Sequence, residues 1–172
     1  MICPECSKKM KKIKGRHHYK ESGLDNVVLV NIPFYFCKCG KKFPIIPNIL
    51  NLHSLISALI IKNPEPLNGK ELRFLRKEIG LKAKDFARLL GVSKVTVSRW
   101  ENDNESIGIT SDKLIRLIFI QKKEEEEDQH FKIALEHIAS VKKKGVKKAP
   151  KIEIPMKDIL RYESFGASLA VA

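Results

Sequence analysis

Apolar positions along the chain follow two different periods. Val27-Val28-Leu29-Val30-Asn31-Ile32 is a β-branched run of strand character, and with the lysine-rich stretch before it residues 1–43 read as a small β ribbon. Residues 45–62 change period: Ile49, Leu52, Leu55, Ile56, Leu59 and Ile60 recur every three or four positions, which predicts an amphipathic helix starting after Pro47. Asn63-Pro64-Glu65-Pro66 ends that helix, because proline lacks a backbone donor and restricts the residue before it. This is the best domain boundary in the chain.

Short helices separated by glycine follow. Asn68 is placed to cap a helix with Glu71 three residues on, Leu72, Leu75 and Ile79 share one face, and Gly80 closes it. A second helix runs from Lys84 through Leu90 to Gly91, and a third begins after Ser93 and runs through Asn102. Thr110 or Ser111 is expected to cap a fourth, with Leu114, Ile115, Leu117, Ile118 and Phe119 as a broad apolar face. Beyond it, Phe131, Ala134, Leu135 and Ile138 share one face of a further helical pattern. The acidic run 124–128 and the lysine-rich stretch 142–148 bracket that pattern and read as solvated surface. Lys151-Ile152-Glu153-Ile154-Pro155 and then Asp158 to Phe165 read either as a short strand and helix or as an arm that orders only on association.

The expected fold class is therefore α+β. A small N-terminal β module occupies 1–45, a linker helix and Pro-rich linker 46–66, an all-α domain 67–122, and a helical C-terminal extension of unassigned role 123–172. A chain of 172 residues accommodates two small units and a tail. No stretch approaches the roughly 20 apolar residues that span a bilayer. The first residues also lack a basic segment followed by an apolar one. A cytoplasmic chain with no membrane partner is expected, and its cysteines belong to a reducing compartment.

Charge adds a partner class. The net charge is +13, with 11 basic and 3 acidic side chains in residues 1–62, 11 and 8 in 63–120, and 11 and 9 in 121–172. Such an excess attracts polyanions, of which nucleic acid is the commonest, although an acidic protein or membrane surface responds to the same field. Charge raises non-specific affinity without specifying a site.

Cys3-x2-Cys6 and, 30 residues later, Cys37-x-Cys39 form two close pairs, each able to supply two thiolates to one tetrahedral ion. Pro4 and Gly40 suit the turns that present them. Four sulfur ligands leave no open coordination position, so the expected cofactor is one structural Zn²⁺ per chain. Two disulfides or four buried thiols are the alternatives, and His17, His18 or His53 is a possible substitute ligand. Zinc is favoured because about 43 residues with few large apolar side chains can hardly build a core unaided.

The segment Leu81 to Asn102, LKAKDFARLLGVSKVTVSRWEN, carries the strongest signal. Phe86, Ala87 and Leu90 form the inner face of one helix, Gly91 permits a sharp turn, Val92 plugs the junction, and Val97 and Trp100 face inward on the next. Trp100 is therefore assigned to the core rather than to base stacking. Lys94, Thr96, Ser98 and Arg99 stand on the opposite face, which suits a helix in the major groove, with a guanidinium able to donate twice to guanine O6 and N7.

The order of parts, CPEC, a basic hairpin, FCKCG, a linker helix and then the helix-turn-helix, resembles the MqsA-type antitoxins, the YgiT-type zinc finger family, over about residues 1–120. The helix-turn-helix half by itself resembles the wide Xre class, which includes phage repressors. The resemblance implies the metal ligands Cys3, Cys6, Cys37 and Cys39, a base-reading Arg99, a dimer that represses its own operon, and a zinc module that can hold a cognate toxin. Three departures stand out. The second cysteine pair is one residue shorter than CxxC, Val95 replaces a polar reader, and Lys82-Ala83 replaces the frequent Thr-Gln, so Lys82 and Lys84 are expected to take over phosphate contacts.

The leading expectation is a sequence-specific DNA-binding repressor of a palindromic operator, acting as a homodimer and as the antitoxin of a type II toxin-antitoxin operon. The alternatives are a free-standing Xre-type transcription factor with a structural zinc module, and a protein-interaction adaptor. No Ser/His/Asp, paired-carboxylate or phosphate-loop constellation points to an enzyme. The expected dimer surface is the apolar face from Leu114 to Phe119 together with the Phe131 to Ile138 helix.

Overall fold

The computed structural model describes residues 1–123, 138, 141 and 150–162. The acidic run, the 142–148 stretch, the Phe131–Ala134–Leu135 face and the end of the expected C-terminal helix lie outside the described residues.

Strand β2 (Val27–Phe36) organises the N-terminal half. It pairs antiparallel with β1 (Lys11–His18) along its length and with β3 (Lys42–Pro44) at its C-terminal end. Its N-terminal end pairs in parallel with β4 (Ile152–Pro155), so Val27 to Val30 take a partner from 125 positions on. The register with β1 slips between Gly15 and His17. Asn31, at a φ of 59°, absorbs the extra residue in β2, a left-handed conformation that asparagine tolerates.

The helices are α1 (Ile49–Lys62), α2 (Gly69–Glu78), α3 (Ala83–Leu90), α4 (Lys94–Glu101), α5 (Ile109–Lys123) and α6 (Met156–Arg161). Of the two readings of residues 151–165, the strand followed by a helix agrees with β4 and α6 over the described residues 151–162, where Ile154 and Ile159 are buried. Asn68 and Glu71 form the expected reciprocal cap on α2. The start of α5 differs from expectation. It begins at Ile109, ahead of Thr110 and Ser111, because the Asp112 amide already donates to the Gly108 carbonyl at 2.9 Å.

One apolar cluster runs through the sheet, α1, the short helices, α5 and the C-terminal segment. Leu29 and Ile32 enter it from β2, Ile56 and Ile61 from α1, Phe86 and Val97 from α3 and α4, and Phe119 from α5. The proline-rich stretch 63–66 therefore joins halves that share a core. Arg116, fully buried, fixes this junction. Its Nη1 donates to the carbonyls of Ile60, Ile61 and Asn63 at 2.8–3.0 Å, Nη2 to Glu65 at 2.9 Å, and Nε to Asp112 at 2.6 Å. The other oxygen of Asp112 accepts the Leu67 amide at 2.6 Å. These carbonyls belong to the end of α1 and the turn after it, which have no partner within a helix.

Two further contacts cross the same seam. Tyr19 lies 2.9 Å from His53 Nε2, and His53 Nδ1 lies 2.8 Å from Glu78. Burial, helped by Glu21 and Glu78, pushes the Tyr19 phenol up; with the phenol donating to Nε2, the Nδ1 proton of His53 is the one that faces Glu78. Gly69 is required by close approach, since a Cβ there would lie 2.2 Å from the Trp100 carbonyl oxygen.

Candidate metal centre and nucleic-acid interface

Cys3 and Cys6 stand in a tight turn closed by the Ser7 amide on the Cys3 carbonyl and the Cys3 amide on the Lys8 carbonyl, both at 2.9 Å. The end of β2 delivers Cys37, and the turn into β3 carries Cys39. The Gly40 amide donates to the Cys37 carbonyl at 2.9 Å, with Gly40 at a φ of 90°, which favours glycine. The turn it closes folds the chain back over the one-residue spacing, and both sulfurs reach the same cluster.

All four Sγ atoms lie within 4.8 Å of one another, with Cys6 to Cys37 at 3.4 Å and Cys3 to Cys39 at 3.7 Å. A disulfide needs about 2.05 Å, so these are free thiols. A tetrahedral ion with sulfurs at about 2.3 Å separates them by about 3.8 Å, so the donor set could hold one metal ion. Burial pushes the Cys3 thiol up, but hydrogen bonds from the Glu5 and Cys6 amides and from the Cys37 and Cys39 thiols outweigh it and bring it down to about 7. The three candidate histidines lie elsewhere: His18 is 2.6 Å from the Asp25 carbonyl, His53 joins Tyr19 to Glu78, and His17 lies 3.5 Å from Glu21 with its Nε2 buried and without a hydrogen-bond partner.

The second site is the outer face of α4. Helix α3 ends at Gly91, φ 67°, whose amide turns back to Ala87 and Arg88, and the Val92 amide donates to Ala87 at 3.0 Å. Ser93 starts α4 by accepting the Thr96 amide at 3.0 Å. Val97 and Trp100 are buried, which seats the helix and turns Lys94, Val95, Ser98 and Arg99 to solvent. Glu101, also buried, accepts from Arg73 and from Arg76, the latter at 2.6 Å, tying α4 to α2.

Lys94, Val95, Ser98 and Arg99 line one open groove with Asn104, a residue the periodicity of α4 did not reach because it lies in the turn beyond. Thr96 is half-buried, and its hydroxyl lies 2.9 Å from that of Ser93. Lys82 and Lys84 are exposed at the start of α3. Arg99 is within 3.8 Å of Glu105, an exposed pair of the kind that contributes little to stability.

Comparisons with known proteins fall on this second site. Residues 72–118 match a family described as helix-turn-helix. The uncharacterized HTH-type transcriptional regulator YiaG of Escherichia coli K12 is 48% identical over 48 residues, 28% of this chain and 50% of the relative, and the same protein in two further Escherichia coli strains matches equally. Residues 72–118 are thus a helix-turn-helix domain of the Xre type, and the chain spans about half the length of the curated relatives it matches. No solved structure matches the chain. Among the described residues, no helix is long and apolar enough to cross a membrane.

Proposed function

We propose that this chain is a sequence-specific DNA-binding transcriptional repressor. The observation that carries the reading is the α4 face: Lys94, Ser98 and Arg99 stand free of the core on a helix held rigidly by Val97, Trp100 and the buried Glu101. A helix so placed presents its N-terminal half to base edges in the major groove. Arg99 is the base reader, with Lys94, Thr96 and Ser98 assisting, while Lys82 and Lys84 hold phosphates. The similarity to a protein named as a transcriptional regulator supports the same reading.

Two-fold operators require a dimer. Ile115 and Phe119 are consumed by the chain's own core, so the available apolar surface on α5 narrows to Ile109 and Leu114, each 37% exposed, with Leu117 and Ile118 beside them. One structural zinc ion, held by Cys3, Cys6, Cys37 and Cys39, supports the sheet; the four-sulfur donor set and its spacing favour zinc. The resemblance of residues 1–120 to MqsA-type antitoxins supports the finer reading that the zinc module holds a toxin and that the operon repressed is the chain's own.

A salt titration on a duplex enriched from genomic DNA tests the assignment. Arg99→Ala should weaken binding to the enriched duplex by about 1–3 kcal/mol with little change on scrambled DNA. Lys82→Ala should weaken both alike and make the logarithmic salt slope shallower by about one unit. Equal losses on both duplexes for Arg99→Ala make it a phosphate contact and overturn its role as reader.

A further inference from the structure

Val95 is the apolar exception on the outward face of α4. It is 59% exposed, while Val97, two residues on, is fully buried, so Val95 contributes little to the core. It sits within a groove whose other walls, Lys94, Ser98, Arg99 and Asn104, are polar or charged. Thr96, the neighbouring candidate, has its amide and hydroxyl engaged by Ser93 at the start of the helix. Val95 and Arg99, one helical turn apart, thus stand on the same exposed face, with Lys94 and Ser98 beside them.

We infer that Val95 is a specificity-determining residue that packs against the C5-methyl group of a thymine within two base pairs of the base contacted by Arg99. This rests on the DNA-binding reading of α4. Thymine is the base that presents a methyl group in the major groove; the other edges there present donors and acceptors, which an isopropyl group would desolvate without pairing. Val95 and Arg99 are four residues apart, about 6 Å along the helix axis, against a base-pair rise of about 3.4 Å. The two side chains therefore address neighbouring or next-neighbouring pairs on one groove floor. Exposure of a valine in the free protein becomes useful contact area only when such a surface meets it.

The experiment uses the full-length, metal-loaded chain. A duplex selected from random DNA is remade with each thymine replaced singly by deoxyuridine, which lacks only the methyl group. Wild type should lose about fourfold in affinity at one thymine per half-site, the effect of removing one buried methyl. Val95→Ala should bind the thymine and deoxyuridine duplexes equally, and its thermal melting should match wild type because the side chain is exposed. Indifference of the wild type to every replacement, or an undiminished fourfold effect in Val95→Ala, overturns the inference while leaving DNA binding intact. If selection enriches no sequence, the DNA-binding reading falls and this inference with it.

Discussion

The helix-turn-helix and the cysteine-bearing sheet are built by opposite strategies. In α3 and α4 the contacts that start and stop each helix are local: Ser93 meets an amide three residues on, and Gly91 turns its own amide back onto α3. In the sheet the deciding contacts are distant: Cys3 meets Cys39 across 36 positions, and Arg16 pairs with Glu153 across 137. Local contacts form at little cost in loop entropy, whereas distant ones must first close a long loop. The lesson is that the boundaries of α3 and α4 are specified by short segments of sequence, whereas the sheet brings together a sulfur cluster and a returning strand from distant parts of the chain.

Metal removal is the strongest test of that contrast. Stripping the ion with a chelator under reducing conditions should cost the N-terminal turns most of their stability, since structural zinc contributes on the order of 10 kcal/mol in isolated fingers. Amide exchange should accelerate in β1 and β3 while α3 and α4 stay protected. Equal loss of protection in both halves would mean that they unfold as one unit, and purified protein without metal would remove the proposed zinc altogether.

Arg116 probes the seam between them. Arg116→Met should destabilise the whole chain by about 3–5 kcal/mol, because it leaves the Asp112 carboxylate buried without its cation and strips the carbonyls that end α1. Chemical denaturation would show a lower midpoint in both halves; a loss confined to one of them would show that the seam couples less than its hydrogen bonds indicate.

Glu71 gives a pH signature to the same region. Burial pushes its carboxyl up to about 7, against opposition from the Asn68 amide and Arg116. The folded state therefore keeps a proton that the unfolded chain releases near 4.5, and stability falls as pH rises from there to about 7. Relative to Glu71→Gln, wild type should lose about 3 kcal/mol between pH 4.5 and 8 in urea melts. A flat difference between the two proteins would place the carboxyl at its ordinary value. The smallest effect belongs to a purely local contact: Ser93→Ala should cost about 1 kcal/mol and accelerate exchange in α4 alone.

Much of the helical half was legible from residue spacing. The Asn68 and Glu71 pair, the glycines at 80 and 91, Ser93 and the inward Val97 and Trp100 all act within one or two turns, so their positions in the chain already state their partners. Four cysteines in two close pairs likewise announced a cluster, and the turn chemistry around Gly40 accommodates the short spacing. Arg116 could not be read the same way. Its position on an apolar helix face gave no hint that α1 would end beside it, and burial of a guanidinium makes sense only with five oxygens already in place. The same holds for Tyr19, His53 and Glu78, three ordinary polar residues until packing aligns them. For β4 a strand was one of the readings, but its partner was not legible: its four residues found their place because the free edge of β2 needed hydrogen bonds and the core needed Ile154. Periodicity and capping are properties of neighbours in sequence, and so the sequence alone determined α4 and its outward face. Joining the two halves into one core was decided by satisfying buried backbone groups across long loops, which only the tertiary structure does.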